Sequence, residues 1–220
     1  MQRVRNLLQG NELFRKTYFL KNEDSLQALA RKGQSPKVLF IGCADSRVIP
    51  SMITGADPGS LFVLRNVGNF VAPYKPDEDF HAMAAGNEYA VNRLRVDEIV
   101  VCGHTNCGAI AALYDGALDR ERFVHTRKWL SLGQRAKDLA RETLGADAEP
   151  EALIGLTEQL SVVTQLDHLL TYPYVREQAE NGRLYLHGWM YDIKTGGIAC
   201  YDPERQAFLA PKETLTENAP

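Results

Sequence analysis

Short apolar runs alternate along the chain with longer stretches of helical period. VLFI, residues 38–41, follows Pro36 and runs into Gly42-Cys43; LFVL, residues 61–64, precedes a glycine and asparagine break; DEIVVCGH carries a third run. Each is short enough for a buried strand. Between them HAMAAGNEYAVNRLRV and TNCGAIAALYDG read as helices. Leu7, Asn11, Phe14 and Tyr18 recur at helical spacing, so the first twenty residues predict an amphipathic helix or a pair of them, and SLQALARKG predicts a second helix closed by Gly33. Beyond residue 122, FVHTRKWLSLGQRAKDLARETL is rich in helix formers. Leu156, Leu160, Val163, Leu166 and Leu170 repeat helically, and VREQAENG ends at Asn181-Gly182. RLYLHGWMYDI and GIACYD predict a hairpin across Lys194-Thr195-Gly196-Gly197.

Strands alternating with helices predict an α/β fold with a mostly parallel central sheet flanked by helices. An N-terminal helical arm (residues 1–35), an α/β core (36–202) ending in the C-terminal hairpin, and a tail (203–220) whose final PKETLTENAP reads as frayed are expected to make one domain over residues 1–220. Sites in such sheets form at the carboxyl ends of strands. Cys43, Asp45 and His104 all fall there.

The composition is ordinary for a globular chain, 45% hydrophobic and 24% charged, with a formal net charge of −3. The absence of a dense basic run removes the electrostatic footprint of nucleic-acid binding. No apolar run approaches the ~18 residues that span a bilayer, and the start, MQRVRNLLQGNELFRKTYF, has no signal-peptide core. The expected location is the cytoplasm. Four scattered cysteines then read as buried hydrophobes, metal ligands or nucleophiles rather than disulfides. Cys102 and Cys200, in apolar contexts, take the inert reading.

Cys43 and Cys107 have different company. His104-Thr105-Asn106-Cys107 would carry an imidazole off a strand end and a thiolate into the first turn of a helix, where free backbone N–H groups favour it. Cys43 at the neighbouring strand end supplies a third soft ligand. Cys₂His is a donor set that Zn²⁺ prefers in sites keeping a fourth position open. Asp45, two residues from Cys43, is a candidate fourth ligand that would close the site. Arg47 can take the Asp45 carboxylate in a two-bond fork and open it again. Asp45 is thus a switchable ligand, with arginine as its competing partner.

Cys43-Ala44-Asp45-Ser46-Arg47 and His104-Thr105-Asn106-Cys107-Gly108 resemble the paired CxDSR and HxxCG signatures of the β-class carbonic anhydrases. LFVLRNVGN, GNEYAV, LLTYPYVRE and LYLHGWMYDIKTG extend the resemblance over most of residues 36–202. It implies reversible hydration of carbon dioxide to bicarbonate and a proton by zinc-bound hydroxide, with one zinc per chain and Asp45 and Arg47 as catalytic residues orienting the nucleophile. It also implies a homodimer, or a larger assembly of dimers, joined by arms. Some relatives carry a noncatalytic bicarbonate site built from Trp, Arg and Tyr; here Phe40 stands in the tryptophan's place, with Arg65 and Tyr191 at the other two. Three other readings stay open: hydrolysis of carbonyl sulfide or carbon disulfide, a noncatalytic zinc module, and a thiol redox protein using Cys102 and Cys107.

Overall fold

The computed structural model describes residues 2–77, 79–115, 118 and 121–211. Six strands, β1 (Val38–Cys43), β2 (Leu61–Asn66), β3 (Glu98–His104), β4 (Tyr185–Tyr191), β5 (Ile198–Asp202) and β6 (Ala207–Leu209), form one sheet in the order β2-β1-β3-β4-β5-β6. The first four pair in parallel and the last two antiparallel. Around the sheet lie α1 (Gln2–Phe14), α2 (Glu23–Lys32), α3 (Pro50–Thr54), α4 (Ala82–Glu88), α5 (Gly108–Tyr114), α6 (Val124–Leu130), α7 (Gln134–Leu144), α8 (Pro150–Leu169) and α9 (Pro173–Glu180). Three of these helices, α3, α8 and α9, open on proline, whose fixed φ suits the first turn and whose missing N–H is not needed there. Among the described residues no helix is long and apolar enough to cross a membrane.

The central strands are buried on both faces, which is why they read as unbroken apolar runs. On one face Leu39, Ile41, Ile99 and Val101 pack with Val162, Leu169, Tyr172 and Val175 from the α8–α9 end of the chain. On the other, Phe40, Val100 and Cys102 meet Ile53, Trp189 and Tyr191. That face is only partly covered, and a groove of about 950 Å³ runs across it past Phe40, Val100, Leu186 and Trp189. The arm is more open still. Helix α1 buries no residue, and Val4, Leu7 and Leu8 each expose more than 60% of their surface.

Two details differ from the sequence reading. The leucine spacing marks α8 as a helix, yet Leu156, Leu160 and Val163 lie at its half-buried flanks and Leu170 is exposed. Its most buried positions include Thr157, Glu158, Ser161, Thr164 and Gln165. Most of these polar groups have partners: Thr157 and Thr164 donate to carbonyls one turn back, and Gln165 Oε1 accepts the Val71 N–H at 2.8 Å. The helix packs on β3, β4 and α7 at once, so polarity alone does not tell which side faces in. The second is a strand that the sequence reading did not identify: residues 203–209 turn back and add β6 beside β5. Of the remainder, residues 212–220 lie outside those described.

Helix α8 comes close to the sheet over Gly103. A Cβ built there would lie 2.6 Å from Val162 Cγ2 and 2.9 Å from Met190 Sδ. Gly103→Val should therefore lower unfolding stability by about 1–3 kcal/mol, read from a urea titration; an unchanged midpoint would show that α8 is not seated as drawn.

Candidate metal centre

The chain leaves β1 for β2 on one side and later returns to place β3 on the other. The connections diverge at the carboxyl edge of β1 and β3, the crevice in which open α/β sheets build sites. Gly42 pairs with Cys102, so Cys43 and His104 leave the sheet within a residue of each other in register. Three residues past His104, Cys107 stands at the N-cap of α5. The turn between them passes through Asn106 at φ +57°, a left-handed conformation. One donor atom from each of Cys43, His104 and Cys107 lies within 4.8 Å of the other two, and all three residues are buried.

These groups are arranged for a cation. His104 Nδ1 donates to the Thr105 carbonyl at 3.0 Å, which fixes the tautomer with the Nε2 lone pair free. That Nε2 is buried and has no hydrogen-bond partner. The Cys43 sulfur accepts the backbone N–H groups of Asp45 and Gly68, each at 3.4 Å. Gly68 sits at φ +82°, and a Cβ there would meet Phe70 and Ala109 at about 3 Å, so glycine alone brings this N–H so close. The Cys107 thiol is the main cause holding the Cys43 pKa far below its ordinary value, with His104 and the two N–H groups adding to it against burial. Cys107 moves up in consequence, through the same contact and then burial. For His104, burial pushes downward, but the Cys43 sulfur and Thr105 carbonyl outweigh it and the net shift is upward. Two thiols and an imidazole that converge with an orphaned ring nitrogen fit a Cys₂His metal site.

Above the cluster, Arg47 Nε and an Nη donate to the two Asp45 oxygens at 2.9 and 2.7 Å, while the same Nη reaches the Asn106 carbonyl at 3.0 Å. Arg47 thus ties the β1 turn to the β3 turn. Arg65, from β2, donates to the Cys43 and Asp45 carbonyls at 2.9 and 2.7 Å. Of the three residues noted for a second anion site, two belong to the open sheet face and the third bonds to the turn after β1. Phe40 and Tyr191 share the open sheet face with Trp189, whereas Arg65 is engaged with the turn after β1. Cys102 belongs to that sheet face and Cys107 to a different cluster with Cys43, Phe70, Ala109, Ile110 and Leu130, which removes the basis for pairing the two cysteines in redox chemistry. Burial pushes the Cys102 thiol up to about 12, as an inert thiol requires.

One group at the site went unnoticed in the sequence. Glu158, buried in α8, accepts the Cys107 N–H at 2.7 Å. Burial raises its carboxyl pKa, opposed by that bond. An acid inside LTEQL looks like any solvated helix position, so nothing in the sequence distinguishes it.

The sequence profile of the family described as carbonic anhydrase matches residues 38–198. The chain belongs to the β-class carbonic anhydrase family. It is 38% identical to the carbonic anhydrase of Pseudomonas aeruginosa over 96% of this chain and 93% of that one. A carbonic anhydrase of Synechocystis sp. is 35% identical over 99% of this chain and 78% of its own length. Among solved structures, the β-carbonic anhydrase CcaA superposes with a TM-score of 0.89 at 36% identity, covering 96% of this chain and 93% of that one. A β-carbonic anhydrase of Sordaria macrospora, described as tetrameric, gives 0.80 at 32% identity, covering 91% and 97%.

In this family member the Asp45–Arg47 pair has a defined charge state. The Arg47 fork holds the Asp45 carboxyl well below the usual carboxylate range, against a smaller upward push from burial. A folded pKa below the unfolded one means that the pair stabilises fully above the ordinary value of about 3.9 and is lost as pH falls through the lowered one. A double-mutant cycle with Asp45→Asn and Arg47→Gln, followed by urea unfolding, should give a coupling that is flat from about pH 8 to pH 5 and shrinks below about pH 4. Variation between pH 5 and 8 would contradict this assignment.

Proposed function

We propose that the protein is a zinc-dependent carbonic anhydrase, hydrating carbon dioxide reversibly to bicarbonate and a proton. The observation that carries this reading is the convergence of Cys43, His104 and Cys107, with His104 Nε2 orphaned, beside a forked Asp45–Arg47 pair. Cys43, His104 and Cys107 would hold the zinc, which when bound lowers the pKa of water towards ~7. The chain's own groups do the rest. Thr105 keeps His104 in the ligating tautomer through its carbonyl. Asp45, with both oxygens anchored by Arg47, would accept a hydrogen bond from the nucleophilic water and orient it towards the substrate carbon. Phe70, Ala109 and Ile110, packed about the two cysteines, make the surroundings of the cluster apolar. Arg47 holds both Asp45 oxygens, so the carboxylate would be kept from ligating the metal itself.

The uncovered arm and the open groove support a homodimer. One chain leaves Val4, Leu7 and Leu8 of α1 exposed and a groove open along Leu186 and Trp189, more than isolated surface hydrophobics would explain. A second copy of the chain is the proposed cover.

Metal analysis and stopped-flow hydration on the same preparations test the site. The parent should hold about one zinc per chain. Cys43→Ser, His104→Ala and Cys107→Ser should each lower occupancy and reduce hydration more than about 100-fold, since even outer partners of a metal are worth 10–100-fold. Arg47→Ala should keep its zinc and lose about 10–100-fold in rate, with Arg47→Lys only partly restored because an ammonium cannot form the fork. Full zinc and full rate in any ligand variant would sink the proposal. For assembly, deletion of residues 1–20 should shift the sedimentation coefficient towards the monomer and lower activity with it; an unchanged, fully active oligomer refutes the arm's role.

A further inference from the structure

Glu158 is a buried carboxylate with no lysine or arginine ion-paired to it among the described residues. Burying such a group without a lysine or arginine beside it is expensive, and the chain would need a reason to keep it. It accepts a hydrogen bond from the Cys107 N–H, a donor that the helix itself leaves orphaned because Cys107 is the N-cap of α5. The backbone N–H of Asn106 also favours its charged form. The chain segment that this carboxylate holds runs between two of the three metal donors. Asn106 holds its left-handed φ of +57° at some energetic cost, so the turn needs an outside restraint. On the sheet side Thr105 is tied to Tyr191 by its N–H at 3.0 Å and to Asp192 by its hydroxyl at 3.2 Å. On the helix side the tie is Glu158.

We infer that Glu158 is a positioning residue of the metal centre: its carboxylate fixes the 105–107 turn so that the Cys107 sulfur and the His104 ring converge on a single cation. This rests on reading the Cys43–His104–Cys107 cluster as a metal site. Reach and acceptor geometry are what matter, because the bonds are made to backbone N–H groups and not to the metal.

Two conservative variants separate reach from charge. Glu158→Asp keeps the charge but withdraws the oxygens by one methylene. Glu158→Gln keeps the reach and one acceptor oxygen while removing the charge. Zn²⁺ dissociation constants are measured by competition with a chromophoric chelator, Co²⁺ absorption bands are recorded on the substituted proteins, and the unfolding midpoint of each metal-free protein is taken alongside. Glu158→Asp should bind Zn²⁺ about 10–100-fold more weakly and shift the Co²⁺ ligand-field bands, while Glu158→Gln should stay within about 5-fold of the parent with its bands in place. Parent-like binding by Glu158→Asp overturns the inference, and so does equal weakening by both variants. If both lower only the metal-free midpoint, leaving Zn²⁺ affinity and Co²⁺ bands unmoved, Glu158 serves packing alone and the inference fails. A parent that binds neither metal overturns the metal centre itself, and this inference with it.

Discussion

Two thiols, an imidazole and a carboxylate are buried together at one edge of the sheet, and the surrounding structure is organised to make that tolerable. Each polar group taken from water must find a partner or a counter-charge. Cys43 finds two backbone N–H groups, His104 a carbonyl, and Glu158 the turn that carries Cys107. What stays unmet is the Nε2 of His104. The arrangement is complete in every direction except the one in which a cation would sit.

The arginines follow the same logic from the solvent side. Arg47 and Arg65 both spend their donors on the turn after β1, Arg65 on the carbonyls of Cys43 and Asp45, and Arg47 on the Asp45 carboxylate and across to Asn106. Planar guanidinium groups can make such paired bonds, and ammonium groups cannot. The two turns that carry the donors are therefore clamped from above by cations and from below by Glu158. Rigidity at the site comes from polar ties, because the ends of parallel strands have no further ladder to hold them.

Much of this was legible in the chain. Apolar runs ending in Gly42-Cys43 and Gly103-His104 marked strand ends, since a strand buried on both faces leaves no polar position until it emerges. The hairpin was visible in its turn residues, Lys194 to Gly197. Other features had no local signature. Glu158 is invisible because a helix wrapped by sheet and by α7 can bury a carboxyl whose partner, the Cys107 N–H, lies 51 positions away in the chain. The same cause disguised the inward face of α8, where Leu156 and Leu160 settle on the flanks. Strand β6 was missed because three residues carry too little periodicity to read. Arg65 matched a pattern for anion binding, but its hydrogen bonds depend on where the neighbouring strand ends, which only pairing in space decides.

Gly103 has a consequence for how reliably the chain finds its register. Beneath Val162 there is room for a hydrogen atom and nothing larger. Sliding β3 by one residue along β1 would bring either Cys102 or His104 under the helix, and would also turn every side chain of the strand to the opposite face. The misaligned sheet is thus excluded by volume as well as by polarity. A single missing methyl group acts as a proofreading device: α8 can close only on the alignment that also delivers Cys43 and His104 to the same edge.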